Sequence, residues 1–388
     1  MKKYLNNFAL FLFLSSSGLA QSTSSQDWSI NVLSTPSSWI RTSSLAAGHV
    51  GSVESQIANI GSTNPANIMI SKLEGFGLLA GGVSPSDYFS SKIQRSPAFG
   101  LRNFGMIKTF GSLKLGFAHT QPYSMEMTLD MHERGILYPD FENLVTFTTK
   151  TTLIANSIVL GWSQRIPQWS SGRFDFGMRI GWAQLQYFTG YDDVTLGNID
   201  QNTLSLAYGV KLEASPKFSA GIFIETKIRY NERIHHEIDS ILYTDPTIIL
   251  GPIPEWTTLQ AELPTVIQGG MQYRFTSGWQ IGGEARYGLW SRLDEDYRDS
   301  WDVNLNLAPP KIGPISPRFG INWVPYMYDI DPWTGIDYST VFEYVAVSWE
   351  KSRYSMQLFL ADSHLFGGKN WQETAVRLSL NYQFDALN

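Results

Sequence analysis

The segment AVRLSLNYQF, residues 375–384, alternates between apolar and polar side chains along its whole length. In an extended chain one face would carry Val376, Leu378, Leu380, Tyr382 and Phe384, and the other Arg377, Ser379, Asn381 and Gln383. Successive side chains of a β-strand point to opposite sides of the sheet. A strand with one side towards lipid and the other towards a lumen shows this pattern. The segment therefore predicts the last strand of a transmembrane β-barrel.

The same alternation recurs along most of the chain and predicts strands over 74–83, 98–110, 112–121, 152–166, 173–187, 203–215, 217–231, 263–275, 279–291, 301–308, 316–325, 338–350, 353–362 and 373–384. The strand at 301–308 is required by parity, because bacterial single-chain barrels have an even number of strands and short turns at one end only. We therefore predict an all-β fold, a 14-stranded antiparallel transmembrane β-barrel over residues 74–384.

Each predicted strand assigns its residues to a face. In 217–231 the lipid face takes Ile222, Ile224, Ile228 and Tyr230. Charged residues predicted to face the lumen are Lys211, Glu225, Lys227, Arg229, Arg274, Glu284, Arg286, Arg318 and Arg377. A polar lumen is ordinary in such barrels. We expect most of these charges to form ion pairs that hold a plug.

The N-terminal residues predict that the chain is exported. Lys2 and Lys3, the apolar stretch 8–14 and the small residues Gly18 and Ala20 indicate a cleaved signal peptide over 1–20. Residues 21–73 neither alternate nor are apolar enough to span, so they form either a disordered periplasmic tail or a plug that folds inward. Residues 385–388 follow Phe384 as a short tail, whereas bacterial barrels usually present a terminal aromatic to the outer-membrane barrel assembly machinery.

Composition narrows the class of protein. Aromatic residues make up 14% and charged residues 16%, against roughly 25% charged in an average soluble domain; composition alone would also suit an aromatic-rich soluble β-sandwich. The chain has no cysteine, which excludes disulfides and thiol chemistry, and its net charge of −6 argues against nucleic acid as a partner. It contains no nucleophile elbow and no phosphate-binding loop. Adjacent His235 and His236 would point to opposite faces of a strand. We predict no enzyme activity, no cofactor and no metal site.

Several segments resemble one family. They are Leu45–Gly51 followed by Asn64-Pro65-Ala66, the hairpin from Leu263 to the Trp-Ser-Arg run at 290–292, and the strand Pro317–Trp323. In order and spacing they are similar to the FadL/TodX family of outer-membrane hydrophobic-compound transporters. The chain departs from the family at Glu54-Ser55-Gln56, where an acidic pair is usual, and at Asn67, where glycine is usual. The resemblance implies a fourteen-stranded barrel with residues 21–73 as its hatch.

The resemblance further implies a function in the bacterial outer membrane, beside lipid and lipopolysaccharide. We expect passive uptake of long-chain fatty acids or other hydrophobic small molecules through the plugged barrel, with Asn64, Pro65 and Ala66 in the hatch. Candidate ligand-binding residues are Ile248, Ile249, Leu250 and Trp256 in an apolar loop, and Arg274 and Arg318 as anchors for a carboxylate. Two alternatives stay open. One is a barrel similar to the PorV type that serves protein secretion, and the other is an open general porin.

Overall fold

A computed structural model describes most of the chain that the sequence assigns to strands. The residues described are 29–31, 50–70, 74–83, 93–95, 100–130, 146–167, 172–191, 194–235, 256–293, 299–313, 316–325, 341–351, 354–362 and 374–383. The predicted signal peptide and the residues 385–388 lie outside these ranges.

The described residues form eighteen strands. They are β1 Ser29–Asn31, β2 Gly75–Val83, β3 Ile93–Arg95, β4 Gly100–Phe110, β5 Leu113–Asp130, β6 Thr146–Arg165, β7 Arg173–Tyr191, β8 Val194–Ser215, β9 Phe218–Glu225, β10 Ile228–His235, β11 Trp256–Leu263, β12 Val266–Arg274, β13 Gln280–Gly288, β14 Ser300–Ala308, β15 Ser316–Pro325, β16 Val341–Lys351, β17 Tyr354–Asp362 and β18 Thr374–Gln383. Three short 3-10 helices, Ile57–Asn59, Pro65–Met69 and Trp290–Arg292, complete the described elements. No described helix is long and apolar enough to span a membrane.

The large sheet has the order β3-β5-β4-β2-β18-β17-β16-β15-β14-β13-β12-β9-β8-β7-β6, and β6 also pairs with β5. Following the antiparallel pairings from β5 through β4, β2 and β18 round to β6 therefore returns to β5 after fourteen of the described strands. β2, which begins the ring in sequence, pairs with β18 over Gly75–Val83. The prediction of an antiparallel all-β fold is confirmed.

The two faces of these strands differ as the alternation predicts. Apolar side chains point outward from the ring, and Trp182, Leu204 and Met271 are each more than half exposed. Polar side chains point inward, where Asp175 and Lys211 are almost fully buried. Aromatic side chains gather near both ends of the strands on the outside. The pair Trp162 and Phe176 lies near the short turns, Tyr287 and Trp301 lie near the other end of β13 and β14, and Trp182 lies midway along β7.

The predicted continuous strand 217–231 is wrong. β9 ends at Glu225, where the N–H of Thr226 donates to the carbonyl of Leu206 at 2.9 Å, and β10 begins at Ile228. Across this break the faces exchange, because a shift of one residue sends every following side chain to the other side. Tyr230, predicted to face lipid, is 1% exposed and its hydroxyl donates to the carbonyl of Ala183. Lys227 and Arg229, predicted to face the lumen, are exposed.

The prediction of one strand over 263–275 also needs correction at its start. β11 ends at Leu263 and β12 begins at Val266, with Pro264 and Thr265 between them. Proline has no N–H to donate to a ladder, and Val266 pairs with Glu225, the last residue of β9. β10 and β11 pair with each other in a separate three-stranded sheet of order β1-β11-β10.

Two compact units make up the chain. One comprises Met1–Ile30 and Arg233–Leu259, and the other Asn31–Glu232 and Gln260–Asn388. The ring of fourteen strands and residues 50–70 belong to the second unit, which holds the candidate site.

Candidate functional site: a hatch and a cavity

Residues 50–70, here called the hatch, are packed against the inner face of the ring. Most of them are buried, including polar Ser52, Thr63, Asn64 and Asn67. The hatch contains the 3-10 helices Ile57–Asn59 and Pro65–Met69, and the second of these contacts β6, β7 and β8. Of the two possibilities for residues 21–73, the described part 50–70 therefore folds inward.

Asn64 organises the centre of the hatch. Its side-chain oxygen accepts the N–H of Ala66 at 3.0 Å and caps the second 3-10 helix, while Pro65 occupies the first position of that helix, where an N–H is not needed. Its amide nitrogen faces the carbonyl oxygens of Ser52 at 2.7 Å, Val210 at 3.1 Å and, more distantly, Ile222 at 3.4 Å. One side chain therefore joins two parts of the hatch to strands β8 and β9.

A polar clasp holds the turn at residues 50–54. The buried Glu284 on β13 accepts the N–H groups of Gly51 and Ser52 at 3.1 and 2.9 Å. The carboxylate of Glu54 receives hydrogen bonds of 2.8 Å from both Gln280 and Arg318. Hydrogen bonds to a charged group are stronger than neutral ones. Of the nine lumen charges expected to hold the plug, Arg318 forms an ion pair with Glu54 of the hatch, and Glu284 accepts main-chain N–H groups instead.

The opposite side of the hatch is apolar. Ile57, Ile60, Ile68 and Met69 form one buried cluster with the wall residues Ile107, Ala118 and Val159. Two cations of the wall also bind the hatch. Lys114 donates to the carbonyl of Ile70 at 2.8 Å, and Arg179 donates to the carbonyl of Thr63 at 3.1 Å. The hatch is thus fixed by hydrophobic burial on one side and by charged hydrogen bonds on the other.

A band of inward-facing glycines, here called the glycine seat, lets the hatch approach the wall. It runs over eight neighbouring strands of the described ring, β4 to β9, β12 and β13, and comprises Gly105, Gly116, Gly161, Gly177, Gly209, Gly221, Gly270 and Gly282. A Cβ at Gly177 would lie 2.1 Å from the carbonyl carbon of Pro65, and one at Gly221 would lie 2.1 Å from the Ser52 oxygen. Such distances exclude any side chain. Sequence reasoning missed the seat, although glycines that recur on predicted lumen faces were the available signal.

A cavity lies beside the hatch. Along β6 its lining residue Leu153 is further from the short turn after Arg165 than Gly161, which contacts Ile68 of the hatch. The cavity is therefore on the side of the hatch away from the short turns. Part of its lining is apolar and part polar; the residues are Gly61, Ser62, Thr120, Pro122, Leu153, Ala155, Ser157, Arg179, Gly181, Ala183, Ser205, Glu225, Ile228, Gln268 and Arg286.

Two arginines reach the cavity, and they differ in how their donors are used. Arg179 is committed, since it donates to Thr63 of the hatch and forms an ion pair with Glu225. Arg286 meets Asp302 at 3.3 Å through Nη1, and its side chain is 12% exposed. A guanidinium has five N–H donors in a planar fork. Arg286 therefore has donors to offer to a molecule in the cavity.

The residues predicted to bind ligand have different positions. Ile248, Ile249 and Leu250 lie outside the described residues, and Trp256 is the first residue of β11. Arg274 is exposed and donates to Gln280 at 3.0 Å, while Arg318 holds Glu54 of the hatch. Neither arginine lines the cavity. Asn64, Pro65 and Ala66 lie in the hatch, at the start of its second 3-10 helix.

Comparison with known proteins reveals the fold alone. No protein-family model and no curated protein matches this chain. Among solved structures, the toluene transporter TodX of Pseudomonas putida is 12% identical, covers 87% of this chain and 95% of its own, and gives a TM-score of 0.55. The toluene transporter TbuX of Ralstonia pickettii is 10% identical, with 88% and 97% covered and a TM-score of 0.59. A FadL homologue of Pseudomonas aeruginosa is 12% identical, with 88% and 98% covered and a TM-score of 0.57. This chain is similar in fold to these barrels.

Proposed function

We propose that this chain, whose fold resembles that of toluene transporters and a FadL homologue, is an outer-membrane protein for the passive uptake of hydrophobic small molecules. The outward face supports the location. Its apolar side chains lie between aromatic residues near both ends of the strands, as expected of a barrel in a bilayer. The outer membrane is the membrane in which such bacterial barrels are found.

The observation that carries the proposal is a cavity directly beside a hatch that is buried against the inner face of the ring. Ligand pockets combine mostly apolar lining with a few polar groups. Leu153, Ala183 and Ile228 supply apolar surface here, and Arg286 supplies a cation. A molecule would thus enter a partly apolar chamber and stop at the hatch.

The cavity also separates this function from the alternatives. A barrel that serves protein secretion needs a docking surface and no chamber. An open general porin needs an unobstructed lumen, whereas the buried hatch obstructs this one. The chamber and the hatch together favour uptake of a small molecule.

Mass spectrometry of lipids extracted from the purified protein tests the proposal directly. We expect an apolar or amphipathic small molecule to copurify, and cells that lack the protein to lose uptake of labelled oleate until the gene is restored. A purified barrel without bound ligand, together with unchanged oleate uptake in the deletion strain, would overturn fatty-acid uptake.

Arg286 makes a finer proposal testable, namely that the ligand is a long-chain fatty acid. Replacing Arg286 by leucine removes a charge-assisted hydrogen bond worth roughly 1.5–3 kcal/mol, so the affinity for oleate is expected to fall by about tenfold to a hundredfold. The measurement is equilibrium binding of oleate and of the neutral hydrocarbon 1-hexadecene to the purified protein.

Arg165→Leu is the matched control, because Arg165 is exposed at the end of β6 and outside the cavity. Oleate binding should be unchanged in this control, and 1-hexadecene binding unchanged in both variants. Equal loss of both ligands in Arg286→Leu would mean that the cavity has collapsed. Unchanged oleate binding would exclude Arg286 as the anchor.

A further inference from the structure

Three neighbouring strands are much longer than a membrane requires. β6, β7 and β8 contain 20, 19 and 22 residues, whereas a tilted strand spans the apolar core with roughly 9–11. The pairing between them is continuous, with one shift near Thr189, so they form one unbroken panel. About half of each strand must therefore project beyond the bilayer, if the proposed outer-membrane location is right.

The outward face of the panel changes its chemistry at one row of residues. Asn156, Trp182 and Leu204 are register partners in this row, and Trp182 is 55% exposed. On the side towards the short turns the outward residues are apolar, namely Ile158, Leu160, Trp162, Phe176, Met178, Ile180, Leu206, Tyr208 and Val210. On the other side they are mainly polar, namely Lys150, Thr152, Ile154, Gln184, Gln186, Phe188, Asn198, Asp200 and Asn202. We call this second area the amide face.

The opposite face of the same projection is buried and largely apolar. Leu153, Leu185 and Ile199 are at most 1% exposed, and Tyr187 is also buried. A sheet buried on one side holds its other side in a fixed position. The amide face is therefore a rigid surface, and Gln186, Asn198, Asp200 and Asn202 are exposed on it.

We propose that the amide face binds the neutral sugars of the outer-leaflet glycolipid, an inference that rests on the proposed outer-membrane function. Side-chain amides both donate and accept hydrogen bonds, as sugar hydroxyls do. Side chains on one face of a strand repeat about every 6.8 Å, and neighbouring strands lie about 4.8 Å apart, which forms a flat lattice of such groups. The hydrogen bond of 2.8 Å from Gln184 to Asp200 shows that neighbouring groups are already oriented.

Charge and position favour sugar over other occupants. A phosphate site would need a cluster of arginines or lysines, and the described amide face carries Lys150 as its one cation, beside the anion Asp200. A protein partner would need buried aromatic anchors, whereas this face presents amides around Phe188. The amide face also continues directly from the apolar band, so it meets the layer immediately above the acyl chains.

Binding of two purified glycolipids to the full-length protein tests the inference. One is lipopolysaccharide with its core sugars and no O-chain, and the other is the lipid A released from it by mild acid. We expect wild-type protein in nanodiscs to bind the sugar-bearing form more tightly. Gln186→Leu combined with Asn202→Leu should lower that preference by about tenfold, because two net hydrogen bonds are lost.

Gln164→Leu is the matched control, since Gln164 is an exposed glutamine near the short-turn end of β6. It should leave the preference unchanged. Equal binding of both glycolipids by the wild type, or an unchanged preference in the double variant, overturns the inference. Oleate uptake by the double variant should equal that of the wild type. A wild-type protein that neither inserts into bilayers nor takes up oleate would instead disprove the proposed function.

Discussion

Replacing Gly177 and Gly221 together by alanine is expected to dislodge the hatch and turn the closed ring into an ion-conducting pore. Each new Cβ would lie 2.1 Å from main-chain atoms of the hatch, which cannot rotate away as a side chain could. Overpacking of a close-packed site costs roughly 1–3 kcal/mol for each position. The ratio of docked to undocked hatch should therefore fall by at least about thirtyfold.

Ion current across planar lipid bilayers measures the effect, because a dislodged hatch leaves an aqueous lumen. Gly269→Ala is the matched control, since a Cβ at Gly269 meets neighbouring atoms only at 3.6 Å or beyond. The control should stay as closed as the wild type. A double variant that remains closed and folds normally, as judged by its gel mobility with and without heating, would show that the seat does not position the hatch.

Asn64→Asp is expected to unfasten the hatch without changing the size of the side chain. The carboxylate would keep an acceptor for the N–H of Ala66, but it would place negative charge beside the carbonyl oxygens of Ser52 and Val210, which now receive hydrogen bonds. Leaving a buried charge without a partner costs about 3–5 kcal/mol. Amide hydrogens of residues 50–70 should therefore exchange at least about a hundredfold faster.

Hydrogen exchange read by mass spectrometry gives this rate for the hatch and the strands separately. Asn198→Asp provides the comparison, because Asn198 is exposed on β8 and its amide lies in solvent. Faster exchange in the hatch with unchanged exchange in β7 and β13 is the expected pattern. Equal protection of the hatch in both variants would refute the role of Asn64 as its fastening.

Period-2 alternation predicted most of the strands because one rule governs them. Where a strand has lipid on one side and lumen on the other, the polarity of each residue indicates which side it faces. On β8, apolar Leu204 is exposed on the outside and charged Lys211 is buried on the inside. The rule failed at residues 226–231. Beyond Glu225 the sequence still alternates, but the buried face and the exposed face of the strand have exchanged. The alternation therefore predicted that Ile228 and Tyr230 face lipid, although both are buried.

The site was predicted in part. The resemblance predicted Asn64, Pro65 and Ala66. Their role in starting a helix can also be predicted from the sequence, because a capping asparagine is followed directly by a proline. The sequence predicted Arg274 and Arg318 as anchors only because both were assigned to the lumen face. All arginines assigned to that face share this property. Arg286 differs from them because it lines the cavity, where it also meets Asp302. Those properties depend on packing between strands remote in sequence.

The seam between β2 and β18 sets the order in which the molecule can be completed. The first and last strands of the ring are hydrogen-bonded from Gly75 with Gln383 to Val83 with Ala375, so closure has to wait until the whole chain is available. Contacts between such distant parts of a chain form slowly, because the loop between them must first be closed. The hatch directly precedes β2 in sequence. The hatch is therefore synthesised before any strand of the ring, and closure between β2 and β18 can take place around it.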